Sequence, residues 1–472
     1  MSTTSIGPTY DPTSTAAALA QKYISASQDI LTANTKGATV IGTGLGNLSS
    51  AILSFQTSLQ SLTGLNKAMF AQAATFSDAT IGSATASASA AAGTYAFFVQ
   101  QLATADQVSY SGLQDDTQGM LKVMVGSTAI NVDLTGGAHT AREVAAAINA
   151  DSENAGLVTA SVITTDTGSE LVLTAKNTGK ASQITLDTSG LDAVSTGQSL
   201  AVANIAPPPD PAADPAAPPP RAGHVLVQAQ DAIIHVGTAS GTAITQATNT
   251  FSNIDGVKMT FTRAQAAGAA PVTLTVGADT SATTSNVQAL IDAYNKLKGA
   301  LDAMVDPGDP TKGQAGGVFA HDGGIRALRD RLITLMRPAG STSLASFGIL
   351  AAKNGSLALD SARLARQLAV DPHGLDTLVG SSSASAPSGI ASALDTFLKG
   401  WSSVTNGQIQ KRKDENAQVQ KDLTARQVTL DSRYNAAYSR YLLQFTQLQT
   451  LQGQMSNNVS MFDALFGNNQ SK

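Results

Sequence analysis

The chain has 472 residues, of which 42% are hydrophobic, and this is enough for roughly two to four domains with real cores. Only 13% of the residues are charged, the formal net charge is -5, and the one basic run is Lys411–Lys413, so the sequence offers no footprint for nucleic acid or an anionic membrane. The chain contains no cysteine, which excludes disulfides, thiolate zinc sites and a cysteine nucleophile.

The N-terminal part of the chain is predicted to be helical. It shows no basic stretch followed by an apolar one, so we expect no cleaved signal peptide, and if the protein leaves the cell it does so by another route. A helical pattern runs through Ala16, Leu19 and Tyr23, and the glycines at 42, 44 and 46 are expected to interrupt it. Asn47 is then a predicted N-cap. The helix after it has an apolar seam spaced by four and three residues: Leu48, Ile52, Phe55, Leu59 and Leu62. We expect this apolar stripe to continue past Gly64 to Phe76.

The helical period ends at about Ser77, and after a stretch rich in Ala, Ser and Thr a β-rich region begins at Tyr95–Val99 and lasts to about Val276. One helix interrupts it, because Thr140 and Glu143 form a capping box ahead of an apolar run. Residues 207–220 contain PPPDPAADPAAPPP, which favours an extended linker over a ligand for an SH3-type domain. After it, Asp255-Gly256 predicts a turn between strands with one face in solvent.

Helical spacing returns after Asn286. Within this part, Asn354-Gly355 predicts a β-hairpin, and Asp360 is a predicted cap for the next helix. The sequence therefore predicts helical ends that enclose a β-rich middle.

The last predicted element is one long helix, residues 408–466, with an apolar and aromatic seam spaced by four and three. Residues 441–462 carry no charge and many amides, so the segment is a poor membrane helix and suits packing against copies of itself. Burial within its own domain is the alternative, because periodicity does not identify the partner. The candidate interface residues are Tyr434, Tyr438, Tyr441, Phe445, Leu448, Met455, Val459, Phe462 and Phe466.

The expected fold class is α+β and multidomain, with a coiled-coil stalk built from the paired N- and C-terminal segments and a two-domain β-rich head inserted between them. The predicted domains are an N-terminal leg (1–45), a helical stalk domain (46–80 with 282–405), a β-rich head domain (81–112 with 222–281), an outer α+β head domain (113–206), a Pro-rich linker (207–221) and a C-terminal coiled-coil leg (406–472).

Catalysis is not indicated. The five histidines are scattered through different elements, and neither an HExxH motif nor a serine elbow occurs. The glycines at 42, 44 and 46 are not followed by the Lys-Ser/Thr of a phosphate loop, and Asp210 and Asp214 could bind a metal only if the prolines let them converge. We therefore expect no catalytic residue, no metal and no cofactor.

Several segments, in order along the chain, resemble the flagellar filament cap family, the hook-associated proteins 2. The first is GTYAFFVQQLATADQVSYSG at 93–112, and the second is VTASVITTDTGSELVLTAKNTG at 158–179. Further matches lie at 230–262, at Ala293-Tyr294-Asn295, at His321-Asp322, at 347–360 and in the helix of residues 433–466. The opening SIGPTYDPTSTAAALA and the Pro-rich insert depart from the family pattern.

The resemblance implies a non-enzymatic protein that is exported through the flagellar type III apparatus and acts outside the cell, at the filament tip. There it would form a ring, expected to be pentameric, and guide flagellin subunits into the filament. Hook–filament junction proteins, and an export chaperone on the C-terminal helix, are further implied partners. An adhesin-like or flagellin-like structural protein is the alternative, with a binding head on a helical stalk. Neither nucleic-acid binding nor membrane insertion is expected.

Overall fold

A computed structural model describes residues 11–111, 113, 115–166, 168–192, 224–337 and 343–466. The chain divides into two compact units: Met1–Met69 with Thr283–Lys472, called the helical unit below, and Phe70–Ala282, called the β-rich unit. The predicted α+β class, with paired terminal helices and β-sheets inserted in the chain between them, is confirmed. The predicted linker 207–221 lies outside the described residues. The helices are α1 Pro12–Thr63, α2 Ala141–Ala150, α3 Thr280–Val305, α4 Gly323–Leu335, α5 Ser361–Val370, α6 Gly374–Val379, α7 Gly389–Ser402 and α8 Gln408–Phe466.

The strands belong to five antiparallel sheets, with the orders β1-β15-β3-β11-β12, β13-β14-β2, β10-β4-β8-β7, β6-β5-β9 and β16-β17. Their bounds are β1 Gln72–Phe76, β2 Gly82–Ala86, β3 Gly93–Gln101, β4 Ala105–Tyr110, β5 Met120–Val125, β6 Thr128–Asp133, β7 Val158–Thr165, β8 Gly168–Thr178, β9 Ile184–Asp187, β10 His224–Val227, β11 Ala232–Val236, β12 Thr242–Gln246, β13 Thr250–Ile254, β14 Val257–Phe261, β15 Val272–Ala278, β16 Ile349–Ala351 and β17 Leu357–Leu359.

Helix α1 is continuous, so the predicted break at Gly42, Gly44 and Gly46 and the predicted N-cap at Asn47 are wrong. Asp11 caps the helix instead, and its carboxylate accepts from the backbone N–H groups of Thr13 and Ser14. The helix continues through its glycines because one apolar seam, with a buried residue every seven positions, runs past them. Burial of this seam outweighs the cost of about 1 kcal/mol for each glycine in a helix. The buried members of that seam are Ile24, Leu31, Ala38, Leu45, Ile52 and Leu59.

The end of α1 also differs from the prediction, because the apolar stripe beyond Gly64 is not helical. Gly64 adopts extended backbone angles, and its N–H group donates to the carbonyl of Gln60, which closes the last turn. The chain then forms β1, which pairs with β15 inside the β-rich unit. Pairing with a strand about 200 residues away in sequence overrides local periodicity here.

The β-rich unit contains two hydrophobic cores. The first lies between the five-stranded sheet and the β13-β14-β2 sheet, and it includes Val99, Phe251 and Leu274. The second lies among the β10-β4-β8-β7 sheet, the β6-β5-β9 sheet and α2, and it includes Val123, Ile148 and Leu173. The capping box of Thr140 and Glu143 and the turn at Gly256, where φ is 74°, are both confirmed.

Strand β4 belongs to the second core. The sequence grouped it with the first head domain, but its residues Val108 and Tyr110 pack in the second core, where β10 also pairs with β4. Asp106 is fully buried, and its carboxylate accepts from the backbone N–H groups of Ile184 (2.7 Å) and Ala229 (2.8 Å). This carboxylate therefore fixes β9, and the chain just after β10, to β4.

In the helical unit, the predicted Asn354-Gly355 hairpin is formed by β16 and β17. Helix α3 holds it: Tyr294 donates from its hydroxyl to the Gly355 carbonyl (3.0 Å), and Asn295 exchanges two hydrogen bonds with the backbone of Leu357. Burial raises the pKa of Tyr294 to about 12, so the phenol remains a donor at any physiological pH. Asp360 caps α5 as predicted.

Candidate assembly interface

The N-terminal seam predicted from sequence lies inside the helical unit. Leu48, Ile52, Phe55 and Leu59 are at most 2% exposed, and Leu62 is half-buried. Helix α1 contacts both α7 and α8, and α7 in turn contacts α4, α6 and α8. This seam is therefore part of the core of one chain, where it is closed to a partner.

Helices α1 and α8 pack side by side in opposite directions. Gly42 lies beside Asn416, the side chain of Gln420 donates to the Ala38 carbonyl, and the amides of Gln28 and Gln427 exchange hydrogen bonds of 3.1 and 3.2 Å. The apolar centre of this pair is a cluster of Ile24, Leu31, Ala38, Leu423 and Leu430, with Tyr434 packed against it. Two glutamines that satisfy each other allow close contact without buried, unpaired polar atoms.

The tyrosines of α8 lie where α1 begins. Tyr434, Tyr438 and Tyr441 are half-buried, and the rings of Tyr434 and Tyr438 stack with centroids 6.3 Å apart. The guanidinium of Arg440 lies 5.0 Å from the centre of the Tyr441 ring. Extending the register of the paired helices places Pro12 beside about residue 445 of α8, because both helices rise 1.5 Å per residue.

From there to Phe466, α8 continues past the start of α1 for about 30 Å. We call residues Leu448–Leu465 the distal segment. Its apolar side chains are largely in solvent: Leu448 is 41% exposed, Met455 57%, Val459 40% and Phe462 59%. Phe445 is half-buried, and the side chain of Phe466 lies outside the described part. The predicted C-terminal seam is therefore covered by α1 only over its first part.

The other end of α8 is anchored firmly. Arg412 forms an ion pair with Asp322, which also caps α4 by accepting from the N–H groups of Gly324 and Ile325. The Arg412 guanidinium lies 5.8 Å from the ring of Trp401. Burial raises the pKa of Asp322, but the hydrogen bond from Arg412 and those from the backbone outweigh it, so the pKa stays below its ordinary value.

Helix α1 carries a second apolar stripe, of which the sequence pattern had included Leu19 and Tyr23 without separating them from the buried face. Every member is exposed: Leu19, Tyr23, Ala26, Ile30, Ala33, Gly37 and Val40. Its members are spaced by four and three residues, and the stripe includes one of the helix glycines, Gly37. By length and composition α1 is also apolar enough to cross a membrane, although one of its faces is buried against α8. Among the described residues, no three His, Asp or Glu side chains gather to hold a metal.

Comparisons with known proteins agree with this architecture. Family models described as the N-terminus and the C-terminus of flagellar hook-associated protein 2 match residues 9–106 and 229–457. The lateral flagellar hook-associated protein 2 of Vibrio parahaemolyticus is 29% identical over 399 residues, or 80% of this chain and 82% of that protein. The B-type protein of Pseudomonas aeruginosa is also 29% identical, over 88% of this chain and 86% of its own length.

Among solved structures, the D1-D2-D3 domains of the flagellar cap protein FliD from Escherichia coli match with a TM-score of 0.59 and 26% identity. The match covers 79% of this chain and 99% of that one. These comparisons give no support to a role in adhesion. From the two family models, the relatives and the shared fold, we conclude that this chain belongs to the flagellar hook-associated protein 2 family, the structural and non-enzymatic proteins that cap the flagellar filament outside the cell.

Proposed function

We propose that this chain forms a ring at the tip of the flagellar filament, where it promotes insertion of exported flagellin and prevents its loss to the medium. Family membership supports the capping role, and one structural observation supports assembly through the helices. That observation is the distal segment of α8, which is about 26 Å long and exposes its apolar side chains. From Leu448 to Phe462 it has no charged residue.

The further partners of the chain follow from the same surface. We propose a pentameric ring that contacts flagellin and the hook–filament junction proteins, and an export chaperone that covers the end of α8 before secretion. An apolar seam of this kind would promote aggregation in the cytoplasm if it were left open. One surface would then serve first the chaperone and later the assembled cap.

Deleting the gene in its bacterium tests the capping role. We expect the deletion to abolish motility and filaments, while monomeric flagellin accumulates in the medium, because export continues with nothing to retain the subunits. Motility assays and immunoblots of the medium for flagellin measure both effects. Normal filaments in the deletion strain would contradict the proposal.

Complementation then tests the seam. Phe445→Asp places a carboxylate on the half-buried seam, so flagellin should still leak into the medium of cells that carry this variant. Thr450→Asp adds the same charge on the opposite face of the helix, and it should restore motility like the native gene. Equal rescue by both variants would show that the seam is not an interface.

A further inference from the structure

The two apolar stripes of α1 are offset by one residue. Four members of the exposed stripe come directly before buried residues of the face that packs on α8. The pairs are Leu19 and Ala20, Tyr23 and Ile24, Ile30 and Leu31, and Gly37 and Ala38. One residue turns an α-helix by about 100°, so the two stripes lie on adjacent faces. Residues 19–40 of α1 are therefore patterned to contact two helices, of which the described part of the chain supplies one, α8.

The exposed stripe is large for a solvent-facing helix surface. Tyr23 is 60% exposed, Ile30 63% and Val40 47%, and between these bulky residues lie the small Ala26, Ala33 and Gly37. A Cβ atom added at Gly37 would meet nothing within 4 Å, so packing inside the chain does not explain this glycine. Bulky side chains that alternate with small ones form holes into which a second helix can insert its own side chains.

We infer that this stripe, residues 19–40 of α1, receives the distal segment of α8 from a second copy of the chain. The lengths are similar, because the stripe extends about 31 Å and the distal segment about 26 Å. The distal segment supplies the bulky residues that the holes need: Leu448, Leu451, Met455, Val459, Phe462 and Leu465. Each distal segment would thereby continue the helix pair of the neighbouring chain as a third helix.

Charge also favours this pairing. Helix α1 carries only Lys22, Asp29 and Lys36 in 52 residues, and α8 has no charge between Tyr441 and Phe462. Two such faces can meet without desolvating like charges, whereas residues 411–440 of α8 carry both signs densely and would resist burial. This inference rests on the ring proposed above and identifies which two surfaces close it.

Because the chain has no cysteine, single cysteines can report the contact directly. Tyr23→Cys chains would be mixed with chains that carry Leu448→Cys, Met455→Cys or Val459→Cys, and the mixture oxidised and separated without reductant. We expect a disulfide-linked pair containing one chain of each kind with at least one of these positions, because a disulfide needs Cα atoms within about 7 Å. Thr32→Cys, on the polar face of α1, should form no such pair.

Ile30→Asp and Thr32→Asp give a matched test, since both residues are exposed and both changes add one carboxylate to α1. Ile30→Asp should raise the concentration needed for half-assembly by about tenfold or more, with an unchanged helical CD spectrum, while Thr32→Asp should not. Rings that form normally with Ile30→Asp and give no mixed disulfide would overturn this interface and leave the proposed ring intact. A chain that stays monomeric at every concentration, or that forms disulfides only with cysteine-bearing flagellin, would contradict the ring as well as the interface.

Discussion

Two seams with the same spacing of four and three residues differ in burial: one lies in the core of the chain and the other is exposed. The seam from Leu48 to Leu62 is core, whereas the seam from Leu448 to Phe462 is exposed on a helix that continues past its partner. The difference lies in what stands opposite each helix, since α7 packs against the part of α1 that carries the first seam, whereas α1 does not extend as far as the second. Periodicity identifies a surface that needs a partner, and the fold decides whether the partner belongs to the same chain.

Identical substitutions in the two seams should separate core from interface most strongly. Phe55→Ala should lower the free energy of unfolding of the helical unit by about 3–5 kcal/mol, because Phe55 is 2% exposed and its loss leaves a cavity. Phe462→Ala, at 59% exposure, should change it by less than about 0.5 kcal/mol. Urea unfolding followed by helical CD measures both. Equal losses would mean that the distal segment is also core.

A smaller effect is expected where α8 is anchored. Asp322→Asn keeps an N-cap acceptor for α4 but removes the charge that pairs with Arg412, and it should cost about 1–2 kcal/mol. Because the pKa of Asp322 is lowered in the folded chain, its contribution is present at neutral pH and is lost as the pH falls through that lowered value. Urea unfolding at a series of pH values should show a weaker acid dependence for the variant. An identical pH profile for both proteins would show that the pair does not stabilise the fold.

The glycines of α1 should respond in opposite directions. Gly37→Ala should stabilise the isolated chain by about 0.5–1 kcal/mol, since the added Cβ has open space and alanine favours helix. Gly44→Ala should destabilise it, because the Cβ would lie 2.9 Å from a methyl group of Val318. Thermal unfolding of the two variants checks the signs, and a destabilising Gly37→Ala would show that this glycine is already packed within the chain.

Local chemistry made part of this fold predictable from the sequence. The capping box at Thr140, the Asn354-Gly355 hairpin and the Asp360 cap each depend on neighbouring residues alone, and each was found. The path of α1 through its glycines was not predicted, because the deciding burial comes from α8, about 400 residues away in sequence. The packing of β4 in the second core was not predicted for the same reason, because its partner strand β10 follows only after a long insertion in the sequence.

The same division holds for the candidate interface. The seam residues from Tyr434 to Phe462 could be identified from their spacing and, after Tyr441, from the missing charge. The point at which α1 stops covering them could not be identified in this way. That point depends on where Asp11 starts α1 and on the register of the helix pair, neither of which periodicity encodes. The exposed stripe on α1 had an equally clear pattern, and it became meaningful only once the neighbouring face was known to be occupied.

The most direct test of the exposed seam as an interface is the mass of the assembled protein in solution. Met455→Asp changes a side chain that is 57% exposed, so stability should barely change, while Asn457→Asp adds the same charge on the opposite face as a control. By light scattering, we expect the native chain and Asn457→Asp to form a small ring, and Met455→Asp to remain a folded monomer. A Met455→Asp ring of native mass would contradict the central claim that the distal segment of α8 holds the cap together.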